Sequence, residues 1–301
     1  MPASLSRRPT RTSLSASTAL GRVALGVAAG TLAGGYGRIT YAGTCAAPAG
    51  TPGTYLCSGP AQAGTDVTHS FGPIAGGRTI NSAPDFGLDT TQSGGRGVEM
   101  TRDRNDAAPD IQITTSNIRA SGDAISAEYS GPTPQDPYDY SPLPFGSVEI
   151  ATTGGQVASE NATGILAEGI RDYITITTSD VSGAEGIATR NRYYGLEHSF
   201  TQIDTTAGTV TGTAGTGITA FDGDIRIRTS DVTGASDGIR ATPGQYLLER
   251  FGFAGIDTTS GTVTGLDGDG ISADVGNIFI TSADVTGSDD GITASSRYYQ
   301  V

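Results

Sequence analysis

Acidic residues recur at one position of a repeated phrase, and stacked carboxylates could bind a cation or cleave a glycoside. The residue before the pair Gly-Ile in successive copies is Thr163, Glu185, Thr216, Asp237, Asp269 and Asp290. If the copies stack as neighbouring strands, the last three carboxylates lie about 4.8 Å apart. Such carboxylates raise one another's pKa unless a cation bridges them. The candidate Ca²⁺ ligands are Asp237, Asp267, Asp269 and Asp290. A pair of them could also serve glycoside chemistry.

The same aspartates also have a purely structural interpretation. Asp before Gly at a corner of the chain makes an Asx-turn and faces water. A second column supports this, since the residues before the repeated valines are Gln156, Asp180, Thr209, Asp231, Thr262 and Asp284. Acids there alternate with hydroxyl or amide groups that can hydrogen-bond between them. The sequence therefore favours structural aspartates, with no catalytic residue, no bound metal and no cofactor.

Tyrosine-rich insertions offer the more plausible recognition surface. They span 128–146, 190–200, 242–253 and 295–301, and eight of the twelve tyrosines fall in them. Tyr gives a large contact area with a polar tip, which suits sugar or protein partners. The candidate binding residues are Tyr138, Tyr140, Tyr193, Tyr194, Tyr246, Tyr298 and Tyr299. The alternative is that the insertions fold down and cover the flank of the protein itself.

The phrases that carry these residues repeat at a fixed period. Val157 to Val210 and Val210 to Val263 are each 53 residues, and Val210 to Val232 is 22. Within one copy, "DIRIRTSDVTG" (224–234) alternates apolar and polar residues as a half-buried strand does. Short strands that cannot bury their own face must stack on their neighbours. The prediction is an all-β, right-handed parallel β-helix with coils of about 22 residues, paired into a repeat of about 53.

Seven strands of this β-helix are predicted to stack in register. They lie near 110–114, 147–151, 174–178, 201–205, 224–228, 255–258 and 277–281. A polysaccharide-cleaving β-helix enzyme, either a lyase or a glycoside hydrolase, is the alternative function. "SDDGI" (288–292) resembles the paired aspartates of polygalacturonases, but their Gly-His-Gly and Arg-Ile-Lys segments are missing. Lyases of this fold use Ca²⁺ with a basic residue, for which Arg226 or Arg228 could be offered.

Charge and the N-terminal residues indicate export. The net charge of −13 and the pI near 4.4 argue against nucleic acid as a partner. Residues 1–34 are basic, then modestly apolar and rich in Ala and Gly, as a secretory signal peptide is. Cys45 and Cys57 are the only cysteines, and an oxidising compartment would join them. Such a bond is worth roughly 2–3 kcal/mol. We assign 35–85 to an N-terminal cap with this disulfide loop and 86–301 to the repeats.

A signal-like start, a short Cys-loop-Cys and coils that read "ITTSDVSG" occur together here. In these features the sequence resembles the passenger region of bacterial autotransporters, the type V secretion proteins. The resemblance implies a protein at the outer membrane and cell surface, or released outside the cell, often as an adhesin. It also implies a host or surface glycan or protein as partner, and a C-terminal β-barrel of the same chain. No barrel-like segment is present, so we expect a truncated piece that self-associates end to end through its last strands.

Overall fold

The computed structural model describes residues 43–72, 78–102, 110–129, 146–152, 154–170, 173–192, 199–244 and 252–296. These residues form strands, turns and bends, and none of them is helical. Consistently, no membrane-spanning helix is found among them. The first strands are β1 (Thr44–Ala46), β2 (Thr54–Ser58), β3 (His69–Phe71), β4 (Arg78–Ser82), β5 (Gly87–Asp89), β6 (Val98–Arg102), β7 (Ile111–Thr115), β8 (Asn117–Ala120) and β9 (Ile125–Tyr129).

The remaining strands continue the same succession. They are β10 (Ser147–Thr152), β11 (Gln156–Ser159), β12 (Ile165–Ile170), β13 (Tyr173–Thr177), β14 (Asp180–Gly183), β15 (Ile187–Arg192), β16 (Phe200–Thr205), β17 (Val210–Gly212), β18 (Ile218–Phe221), β19 (Asp224–Thr229), β20 (Val232–Gly234), β21 (Ile239–Thr242), β22 (Phe253–Gly265), β23 (Ile271–Asp274), β24 (Asn277–Gly287) and β25 (Ile292–Ser295). The all-β class predicted from the sequence is confirmed.

The strands stack in three parallel rows. The first row is β2, β4, β7, β10, β13, β16, β19 and the first halves of β22 and β24. The second row is β5, β8, β11, β14, β17, β20 and the second halves of β22 and β24. The third row is β3, β6, β9, β12, β15, β18, β21, β23 and β25. From β4 onwards the chain visits the three rows in the same order each time, so equivalent residues come to lie one above another.

Register within the rows follows the apolar alternation of the sequence. In β19, Ile225 and Ile227 are buried, whereas Arg226 and Arg228 between and after them are exposed. The repeated valines are successive register partners, namely Val157, Val181, Val210, Val232, Val263 and Val285. Each of the seven predicted strands overlaps an observed one, and those seven pair in parallel. A one-residue slip would turn every apolar side chain outward, so burial fixes this register.

Glycine of the repeated Gly-Ile pair is required by close packing between coils. A Cβ added to Gly186 would lie 2.4 Å from the carbonyl oxygen of Gly217 and 2.5 Å from Cγ1 of Val210. Real Cβ atoms essentially never come within 3.0 Å of another atom in this way, so any side chain would push the coils apart. The phrase repeats because each corner makes the same approach.

The N-terminal residues join the rows through a hairpin. β1 pairs with β2 in antiparallel fashion, with Cys45 opposite Cys57, and these two residues form the predicted disulfide. β2 then pairs in parallel with β4, and β3 with β6, so these strands of the predicted cap extend the first and third rows.

At the C-terminal end of the described residues, the inward side chains of β24 and β25 are less buried than those of the preceding strands. The side chains of Ile278, Ile280 and Val285 are partly buried, and Ile292 is 44% exposed. Each of these two strands pairs with one neighbour among the described strands. The equivalent residues of the preceding coil, such as Val263 and Ile271, are fully buried.

Candidate binding face

Tyrosines predicted to bind a partner cannot be placed by the structure. All seven lie outside the described residues, namely Tyr138, Tyr140, Tyr193, Tyr194, Tyr246, Tyr298 and Tyr299.

The aspartates before Gly-Ile link one coil to the next. Oδ1 of Asp237 accepts the backbone N–H of Asp269 at 3.0 Å, and Oδ1 of Asp269 accepts that of Asp290 at 3.2 Å. Among the described residues, Asp267 included, no three His, Cys, Asp or Glu side chains are grouped to hold a metal ion. These carboxylates thus accept backbone N–H groups of the next coil, whereas the sequence predicts local Asx-turns.

The column before the repeated valines has a similar bond in alternate coils. Oδ1 of Asp180 accepts the backbone N–H of Thr209 at 2.9 Å and its hydroxyl at 3.1 Å. Oδ1 of Asp231 does the same with Thr262, at 2.8 and 3.0 Å. The predicted hydrogen bonding between stacked acids and threonines is confirmed.

A third set of aspartates was not singled out from the sequence. In the tripeptides that begin at Asp89, Asp204 and Asp257, Oδ1 accepts the N–H of the residue two positions on, at 3.1 Å each time. The hydroxyl of that threonine also donates, at 2.6 to 2.7 Å. Hydrogen bonds from the hydroxyl of Thr259, and next from its amide, lower the pKa of Asp257, and Arg228 adds to the effect. The repeated Asp-Thr-Thr would have been the signal.

The outward face of the first row carries a notch near its C-terminal end. Arg226 on β19, Gly255 on β22 and Phe279 on β24 are successive register partners in one outward column. Arg228, Asp257 and Thr281 form the adjacent column on the same strands. Because Gly255 has no side chain, a shallow depression of about 330 Å³ opens above it, lined by these residues. We call it the Gly255 notch.

The charges in the Gly255 notch are unevenly paired. The guanidinium of Arg228 lies 3.8 Å from Asp204 and 4.0 Å from Asp257, so it has two carboxylates as loose partners. Arg226 has no carboxylate within salt-bridge distance among the described residues, and its guanidinium carbon lies 5.9 Å from the ring centroid of Phe200. The notch therefore combines one unpaired cation, one exposed aromatic ring and an ionised carboxylate at its far side.

A second charged group lies on the third row, in the N-terminal coils. Nη1 of Arg96 lies 2.7 Å from both Glu99 and Glu128, and its Nε lies 3.3 Å from Asp123. Burial alone would lower the pKa of Arg96, but the three carboxylates, Glu128 foremost, raise it above its ordinary value. The sequence did not reveal this group because its members come from two strands and from the two loops that precede them.

Comparisons with protein-family models, with curated proteins and with solved structures find no match for this chain. Its function is therefore argued from its own geometry.

Proposed function

We propose that the chain is an exported β-helix that serves as the passenger of an autotransporter and binds a surface glycan or protein. The observation that carries the proposal is the stacking of three parallel rows, which presents long outward columns of polar and charged side chains. A closed, right-handed solenoid with coils of about 22 residues, paired into a repeat of about 53, accounts for the valine register. Parallel crossovers are right-handed in nearly all proteins.

The compartment belongs to the same proposal. A disulfide between Cys45 and Cys57 persists in oxidising surroundings and is rare in the cytosol. Display on the cell surface, or release from it, places the chain in such surroundings. Adhesive binding needs only a persistent surface, and the described strands offer one with solvated aspartates held at their corners.

The test is a binding experiment paired with a turnover experiment. An antibody against the chain should label intact producing cells or detect the chain in their medium. The purified chain should adhere to immobilised glycans or host-surface proteins. Acidic polysaccharides incubated with the chain should gain neither reducing ends nor unsaturated products. Confinement to the cytosol, or absence of adhesion to every surface tried, would overturn the proposal. Steady product formation would establish the polysaccharide-cleaving enzyme in its place.

A further inference from the structure

Close packing does not require glycine at the floor of the Gly255 notch. A Cβ on Gly255 would meet the ring of Phe253 at 3.6 Å and the carbonyl oxygen of Ile225 at 4.0 Å, which are ordinary contacts. Glycine within a strand costs roughly 0.5–1 kcal/mol relative to alanine. The outward column is otherwise filled along its length, by Gln112, Glu149, Thr175, Gln202, Arg226 and Phe279. A destabilising residue that only removes bulk is typical of a place where something else must approach.

The walls of the notch supply an aromatic ring and a cation. Phe279, on the last described strand of the first row, is 67% exposed. Arg226 contributes a cation that described carboxylates leave unpaired, on a chain whose net charge is −13. The two residues stand two strand spacings apart, about 9.6 Å, with only the backbone of Gly255 between them.

We infer that the Gly255 notch binds one acidic sugar residue, a pyranose ring that bears a carboxylate, of the glycan to which the protein adheres. The inference rests on the proposed binding function and names its ligand class. The sugar carboxylate pairs with the guanidinium of Arg226, in the two-pronged geometry that arginine and carboxylates favour. The apolar face of the ring lies against Phe279. Ring hydroxyls donate to the carboxylate of Asp257, which is ionised at neutral pH as an exposed aspartate ordinarily is.

Charge in the notch also sets the orientation of the ligand and excludes simpler ones. Asp204 and Asp257 lie on either side of Arg228, so an anion is repelled from that side and directed to Arg226. An inorganic anion would use Arg226 alone and gain nothing from Phe279. A neutral sugar would leave Arg226 without a counter-charge. A ligand with a carboxylate, a ring face and hydroxyls can contact Arg226, Phe279 and Asp257 together.

The experiment follows binding to the full chain by NMR titration, with methyl glucuronide, methyl glucoside and inorganic phosphate as separate probes. We expect methyl glucuronide to bind, with shifts confined to residues around the notch, and the other two to bind at least about tenfold more weakly. Arg226→Gln should weaken glucuronide binding about tenfold, since it removes the charged pair. Gly255→Val should abolish binding by filling the floor, while β-branched valine suits a strand and leaves folding intact.

Matched controls use residues outside the notch. Arg119→Gln removes an exposed arginine on β8, and Thr175→Val places valine in the same outward column on β13; neither should change binding. Equal binding of methyl glucoside, equal binding of phosphate, or an unaffected Gly255→Val variant would overturn the inference. Adhesion that survives Arg226→Gln would leave the proposed function standing and the inference refuted. Glucuronide binding without any adhesion of the wild-type chain would refute the proposed function alone.

Discussion

The N-terminal coils and the later repeats are built on the same rows and share the Asp-Thr-Thr turn, but the described residues of the two regions differ in their other bonds. Residues 43–129 contain interactions that occur once, namely the Cys45–Cys57 disulfide, the buried carboxyl of Asp66 and the Arg96 group. Residues 173–296 repeat one bond at equivalent positions, as Asp180 with Thr209 and Asp231 with Thr262 show.

The two regions should therefore respond differently to single substitutions. A bond that occurs once and is buried concentrates stability in one residue, and its loss leaves polar groups without water or partner. A bond that recurs on the surface distributes stability among coils, as expected for a protein whose repeats contact only their neighbours. Four experiments test this contrast, beginning with the one whose expected effect is largest.

Removal of the disulfide should have the largest effect. The link closes a short loop, with a sequence separation of 12, and restricts the unfolded chain. The double variant Cys45→Ala, Cys57→Ala should lower the free energy of unfolding by about 3 kcal/mol. Urea denaturation of oxidised wild type, reduced wild type and the variant would measure this. Identical midpoints for all three would contradict the prediction.

A matched pair of aspartates compares the two regions directly. Oδ2 of Asp66, 1% exposed, accepts the N–H groups of Gln62 and Asp89 at 2.9 and 2.8 Å. Exposed Asp231 also accepts two hydrogen bonds. Asp66→Ala should cost about 2 kcal/mol because buried donors lose their acceptor, whereas Asp231→Ala should cost about 0.5 kcal/mol, since water replaces it. Denaturation of both variants under one condition tests the pair. Equal costs would refute the contrast.

The two regions also differ in how much of their structure the sequence could predict. The repeats can be predicted from the sequence. Valines that recur after 22 or 53 residues, together with alternating isoleucines, predict the strands, their register and the aspartate columns. The notch at Gly255 could not be predicted from the sequence. It depends on Arg226 and Phe279, which come onto one face only when three strands stack. The Arg96 group was likewise hidden, because a charge pattern along the chain does not show which side chains meet across a row.

The Arg96 group should show a salt-dependent effect of intermediate size. Arg96→Met leaves Glu99, Asp123 and Glu128 facing one another without a cation, so the variant should lose about 1 kcal/mol at pH 7 and low salt. Added salt screens the repulsion among the carboxylates, so the deficit should shrink as the ionic strength rises. Unfolding at low and high salt measures it, with Arg119→Met, which replaces an exposed arginine on β8, as control. A deficit independent of salt would indicate lost packing alone.

The smallest expected effect concerns one turn of the repeats. The pKa of Asp257 is lowered first by the hydroxyl of Thr259, so Thr259→Val should raise it toward the ordinary value, while the backbone N–H bond remains. A folded-state pKa below the unfolded one contributes stability above the unfolded pKa, and this is lost as the pH falls through the folded value. The valine variant should therefore lose stability at neutral pH and less in acid. NMR titration of the Asp257 carboxyl checks the shift directly, and Thr206→Val, the same change at the Asp204 turn, serves as control. If both variants changed the pKa of Asp257 equally, the two turns would be coupled. That result would contradict the prediction that each turn acts only on its own aspartate.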